Sequence, residues 1–203
     1  MPKKVDHDAR RRQLTDAVCR LTLRGGLQSA TFRQVAAEAG VSVRLVQYYF
    51  GSKEGLLAAT LEHVGERSIE RLMKWIDATD GSPRAVLEAF VKSFIPADEE
   101  SRMAMLMYVS LYTEGVVAAM GDPSANETRK TEVQMMHDTI LEQLTLGPLH
   151  EGIDPAAEAV LLTALLPGLG QYVLDGTMTP EAAATTIDHH FDRLFESDAA
   201  SLD

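Results

Sequence analysis

Apolar positions along this chain return every three to four residues, and no stretch keeps the every-second-residue alternation of a strand. Leu14, Ala17, Val18 and Leu21 mark one face of a first helix, expected over about residues 8–23 and closed by Gly25 and Gly26. Thr31 is placed to cap a helix over about 32–39, which Gly40 ends. Ser42 is placed to cap a third over about 43–50, stopped at Gly51, and Ser52 precedes a long helix over about 53–78. Further helices are expected over about 83–94, starting at Pro83 and halted by Pro96, and over about 98–113, with an interruption near Gly115. Three more follow over about 124–146, 155–175 and 180–196, the last two opened by Asp154-Pro155 and Thr179-Pro180. The expected fold is all-α, about nine helices, with an N-terminal three-helix domain in residues 1–53 and a larger helical domain in 54–203.

The second and third helices with Gly40 between them have the form of a helix-turn-helix. Val35, Ala36 and Ala39 can face Val46 and Phe50, with Val41 filling the turn. Removing that face leaves Val43, Arg44, Gln47 and Tyr48 together on the outside of the third helix. Such a set suits a major groove: Arg pairs with the guanine edge, Gln with adenine, and Val meets a thymine methyl. Arg33 joins this base-facing set from the second helix. Thr31, Tyr49 and Lys53 form the expected phosphate set, Lys53 at the start of a helix where free N–H groups also face outward.

Charge supports this division. The 203-residue chain has a net charge of -11, yet residues 1–53 carry ten Lys/Arg against four Asp/Glu. A basic segment on an acidic body points to a local polyanion contact. Cys19 is the only cysteine, so neither an internal disulfide nor a multi-cysteine zinc site is expected, and no His/Cys set has metal-ligand spacing. No cofactor motif is present. The charged start lacks an apolar h-region, and the longest apolar run, 159–168, is shorter than the ~20 residues of a bilayer span. These features place the expected protein in the cytoplasm, without a membrane partner.

The stretch TFRQVAAEAGVSVRLVQYYFGSKEGLL resembles the DNA-binding domain of TetR-type transcriptional regulators. The matching positions are Thr31, Val35, Ala36, Ala39, Gly40, Val41, Ser42, Tyr48, Phe50, Lys53 and Leu56. The match departs at Leu45, where Thr is common, at Gln47, where Tyr is common, and at Tyr49, where His is common. Beyond about residue 60 the likeness is of architecture, to the subgroup typified by choline-responsive repressors.

The resemblance implies a ligand-responsive repressor that binds a palindromic double-stranded DNA operator as a homodimer and is released by a small apolar or amphipathic effector. The dimer is expected through the last two helices, with Leu161, Leu165, Leu169, Tyr172, Ile187, Phe191 and Leu194 at the interface. The residues offered for an effector pocket are Trp75, Phe90, Phe94, Met103, Met107, Tyr108, Leu111, Tyr112, Met136 and His137, adaptable apolar surface with a few polar tips. The same residues also fit a plain core at helical spacing. Two other classes stand beside this one. A ligand-binding or protein-interaction module without operator binding is kept open by positions 45 and 47. An enzyme is not expected, since no nucleophile, acid/base pair or metal set is assembled.

Overall fold

The computed structural model describes residues 7–121 and 127–196, with backbone alone for 111–121 and 127–129. Nine α-helices form among the described residues: α1 (His7–Gly25), α2 (Phe32–Ala39), α3 (Val43–Phe50), α4 (Lys53–Asp77), α5 (Pro83–Lys92), α6 (Glu99–Gly121), α7 (Glu127–Leu146), α8 (Pro155–Leu174) and α9 (Pro180–Leu194). One turn of 3-10 helix, Leu27–Ser29, joins α1 to α2. The expected interruption near Gly115 does not occur, as α6 runs on to Gly121. The start expected at Ser124 lies outside the described residues.

The helix starts follow local chemistry. Thr31, Ser42, Ser52, Ser82, Asp154 and Thr179 each accept a backbone N–H in the first turn of the helix they open. Each such cap is worth about 1 kcal/mol. Gly40 ends α2 in the left-handed region at φ 66°, where a side chain is disfavoured, and the Val41 N–H returns to the Ala36 carbonyl at 2.9 Å.

The chain forms two compact units, residues 1–69 and 70–203. The boundary expected after residue 53 therefore falls later. Leu56 and Ala59 of α4 pack with Leu14, Val18, Val35, Val46 and Phe50 in the first core, which keeps the front of α4 in the N-terminal unit. His63 Nε2 and Arg67 both reach Asp16 on α1, at 3.0 and 3.6 Å.

In the second unit α8 packs against α6, α7 and α9, and α5 against α7 and α9. Its core includes Leu87, Val91, Ile140, Leu144, Leu162, Leu166, Ile187 and Phe191. Gly170 allows α8 to approach α6, since a Cβ there would overlap the Met105 side chain and stand 3.0 Å from the Phe94 carbonyl oxygen. Arg84 and Lys92 on α5 reach Asp192 and Asp188 on α9, at 2.5 and 2.6 Å. By length and composition α8 could cross a membrane; here it is the central helix of a packed unit, with six of its residues buried.

Candidate nucleic-acid interface and effector cavity

The third helix is held from behind. Val46 and Phe50 are buried, and the Arg11 guanidinium lies 5.6 Å above the Phe50 ring. Burying two such side chains contributes roughly 1.5–3 kcal/mol each. Outward, Val43, Arg44, Gln47 and Tyr48 are all exposed, Tyr48 to 72%. Among the described residues the side chains of Arg44 and Gln47 have no hydrogen-bonding partner, and that of Arg33 is likewise exposed and unpaired. The five positions expected to face bases thus lie on α2 and α3, with the side chains of Arg33, Arg44 and Gln47 uncommitted.

The phosphate set is more engaged. Thr31 caps α2 and donates to Gln34 Oε1 at 2.7 Å. The Tyr49 hydroxyl lies 3.1 Å from His7 Nδ1, and its ring stacks edge-on with Tyr48. The Lys53 ammonium donates to Gln28 Oε1 at 3.2 Å, an exposed contact to a neutral amide. His7 is a neighbour that sequence spacing did not flag, because it lies 42 residues from Tyr49.

The basic excess is also partly spent inside the domain. Arg20 and Arg24 both bind Glu38, whose carboxyl is held below the usual range by the hydrogen bonds from Arg20 and then Arg24. Arg11 pairs with Glu62 at 3.4 Å. Arg33 and Arg44 on the two helices of the motif are left outward, so the positive field at this face is narrower than the sequence count suggests.

The second unit contains a cavity of about 580 Å³ between α7 and α8, bordered by Tyr108 of α6. Val133, Gln134, Met136 and His137 line it from α7. Val160, Thr163, Ala164, Pro167, Gly168 and Gln171 line it from α8. Of the expected pocket residues, this brings together Tyr108, Met136 and His137. Met103 and Met107 are buried, and Phe90 and Phe94 pack edge-to-face with each other beside the core. Trp75 is exposed and carries the Arg71 guanidinium over its ring at 5.2 Å. Leu111 and Tyr112 have side chains outside the described residues. The α8 lining was missed because the apolar residues of this helix were read as a dimer interface; Thr163, Pro167 and Gln171 interrupting that run were the available signal.

Four of the seven expected interface residues are internal. Leu169, Ile187, Phe191 and Leu194 are buried within the protomer core and are not available to a partner. The apolar stripe of α9 faces its own unit. Leu161, Leu165 and Tyr172 are exposed to 58%, 43% and 52%. Around the circumference of α8, Leu162, Leu166, Leu169 and Val173 occupy a buried arc. The cavity-lining residues occupy the next arc, and Leu161, Leu165 and Tyr172 a third.

A helix-turn-helix with an uncommitted polar face, followed by a separate helical unit with an open cavity, has the form of a one-component DNA-binding regulator. Residues 14–60 match the family model of bacterial regulatory proteins, tetR family, and residues 83–196 match that of the BetI-type transcriptional repressor, C-terminal. The BetI regulator of Burkholderia cenocepacia is 29% identical over 201 residues, covering 98% of this chain and 100% of its own. The PksA regulator of Bacillus subtilis is 27% identical, covering 86% and 83%. A TetR-family regulator structure from Rhodococcus sp. is 26% identical with a TM-score of 0.72, covering 93% of this chain and 100% of that one. A regulator from Saccharomonospora viridis, solved in complex with choline, has a TM-score of 0.76 at 21% identity and covers 94% and 100%. The chain belongs to the TetR family, with a BetI-type C-terminal domain. It is a DNA-binding transcriptional regulator and not an enzyme.

Proposed function

We propose that this regulator acts in the cytoplasm as a homodimeric repressor of a palindromic operator, released by a small molecule held in the second unit. The observation that carries the reading is the face of α3: Arg44 and Gln47 are exposed and without partners in a helix fixed by Val46 and Phe50. Side chains with unused donors on a rigid helix are what base-edge recognition requires. Arg33, Val43 and Tyr48 complete the base-facing set, and Thr31, Tyr49 and Lys53 hold phosphates. The dimer forms through the exposed stripe Leu161, Leu165 and Tyr172, so that two recognition helices address half-sites ~34 Å apart.

The effector binds at the cavity between α7 and α8. The continuous helix α4, which leaves the first unit and enters the second, carries the signal by shifting when the cavity fills. Effector and operator then oppose each other by one coupling free energy, typically ~1–3 kcal/mol.

The test is a DNA-binding titration on the chain's own upstream region at physiological salt, with and without candidate effectors. A specific complex weakened by a ligand is expected. Absence of any sequence-specific complex would instead favour a ligand-binding module that has lost operator recognition through Leu45 and Gln47.

A further inference from the structure

The polar groups around the α7–α8 cavity are two amides (Gln134, Gln171), two hydroxyls (Tyr108, Thr163) and the His137 imidazole rather than ions. Among the described lining residues there is no Lys, Arg, Asp or Glu. The carboxylate next to the lining, Asp138, is committed elsewhere: its Oδ1 accepts from Gln134 Nε2 at 2.8 Å and lies 3.2 Å from His137 Nδ1. These two contacts hold the Asp138 carboxyl below the usual range, the Gln134 bond first and the His137 bond second. In the neutral ring, a carboxylate on Nδ1 selects the tautomer protonated there, which leaves the lone pair on Nε2 as an acceptor. His137 is thereby prepared to take a hydrogen bond from a ligand. The opposite requirement, recognition of a cation, calls for a carboxylate or a set of aromatic faces. Trp75, the chain's one tryptophan, is outside this lining and already holds Arg71. Val133, Met136 and Val160 supply an apolar wall.

We propose that the cavity takes an uncharged amphipathic molecule bearing a hydroxyl, which donates to His137 while its apolar body lies along Val133, Met136 and Val160. This rests on the reading of the cavity as the effector site. At about 580 Å³ the space is within the range of small-molecule sites, ~300–1,000 Å³.

The test uses the full-length protein and three probes of equal chain length but different charge: 1-octanol, octyltrimethylammonium and octanoate. Calorimetric titration should show octanol binding at least tenfold more tightly than either ion. Val160→Trp, filling the cavity from an exposed position, should abolish octanol binding, and His137→Leu should weaken it about tenfold, each with an unchanged melting temperature. Either ion matching octanol, none of the three binding, or the two variants binding octanol like the parent would each overturn the proposal. Operator binding by the ligand-free protein is measured on the same preparation. Its failure would sink the regulator reading while leaving the ligand result intact, and the converse holds for the cavity.

Discussion

The Gln47 amide stands exposed on α3 beside Arg44. Arg44→Ala and Gln47→Ala should each cost ~1–3 kcal/mol of operator binding and relax preference at one base pair per half-site. Fluorescence anisotropy against operators carrying single base-pair changes would read this; an equal loss on every sequence would reassign the side chain to phosphate. Cys19 offers a second test at this scale. Burial first, and the Asp16 carboxylate second, push its thiol from 9.0 up to about 11. Above pH 9 the unfolded chain releases this proton while the folded chain keeps it, so stability should fall between pH 9 and 11. Urea melts across that window should flatten in Cys19→Ser; an identical slope in the variant would remove Cys19 as the cause. At the residue scale, the caps Thr31, Ser42 and Thr179 were legible because donor and acceptor lie within three residues. The His7–Tyr49 contact was not, because it depends on α1 folding back beside α3.

Helices show the same contrast one level up. The spacing of Ala184, Ile187, Phe191 and Leu194 identifies a face of α9 that must be covered, but periodicity carries no information on what covers it. The cover is the protomer's own α5 and α8, so an interface reading of that stripe was a choice the pattern could not make. On α8 the residues expected at an interface divide: Leu169 lies on an internal arc, while the arc of Leu161, Leu165 and Tyr172 remains open. Its glycines separate the two demands. Gly170→Ala places a methyl group against Met105 and the rigid Phe94 carbonyl, and should destabilise by ~1–3 kcal/mol. Gly168→Ala meets nothing within 4 Å and should be neutral or stabilising by up to ~1 kcal/mol. Chemical denaturation of the two variants side by side checks the pair, and equal stabilities would show that the α6–α8 approach is not tight at Gly170.

For the whole molecule the decisive question is what covers Leu161, Leu165 and Tyr172. Exposed apolar residues scattered singly are ordinary, but three on one arc of a helix, beside its buried arc, form a surface that water solvates poorly. A second copy of the same arc is a complementary partner, because a two-fold axis sets each stripe against itself. Two carboxylates introduced there, as Leu161→Asp with Leu165→Asp, would meet two more across the axis. The expected product is a folded monomer by sedimentation, with a melting temperature close to the parent's measured at low concentration, since both positions are exposed in the protomer. Phe191→Ala is the contrasting control: it opens a void in the protomer core and should cost ~3–5 kcal/mol whatever the oligomeric state. Loss of the proposed dimer would remove the second recognition helix from every complex. Operator affinity should therefore fall roughly a hundredfold or more, because the second half-site contact becomes bimolecular. Retained dimers in the double variant would place the interface elsewhere on the second unit. A monomer that still bound the operator tightly would show that one α2–α3 motif suffices.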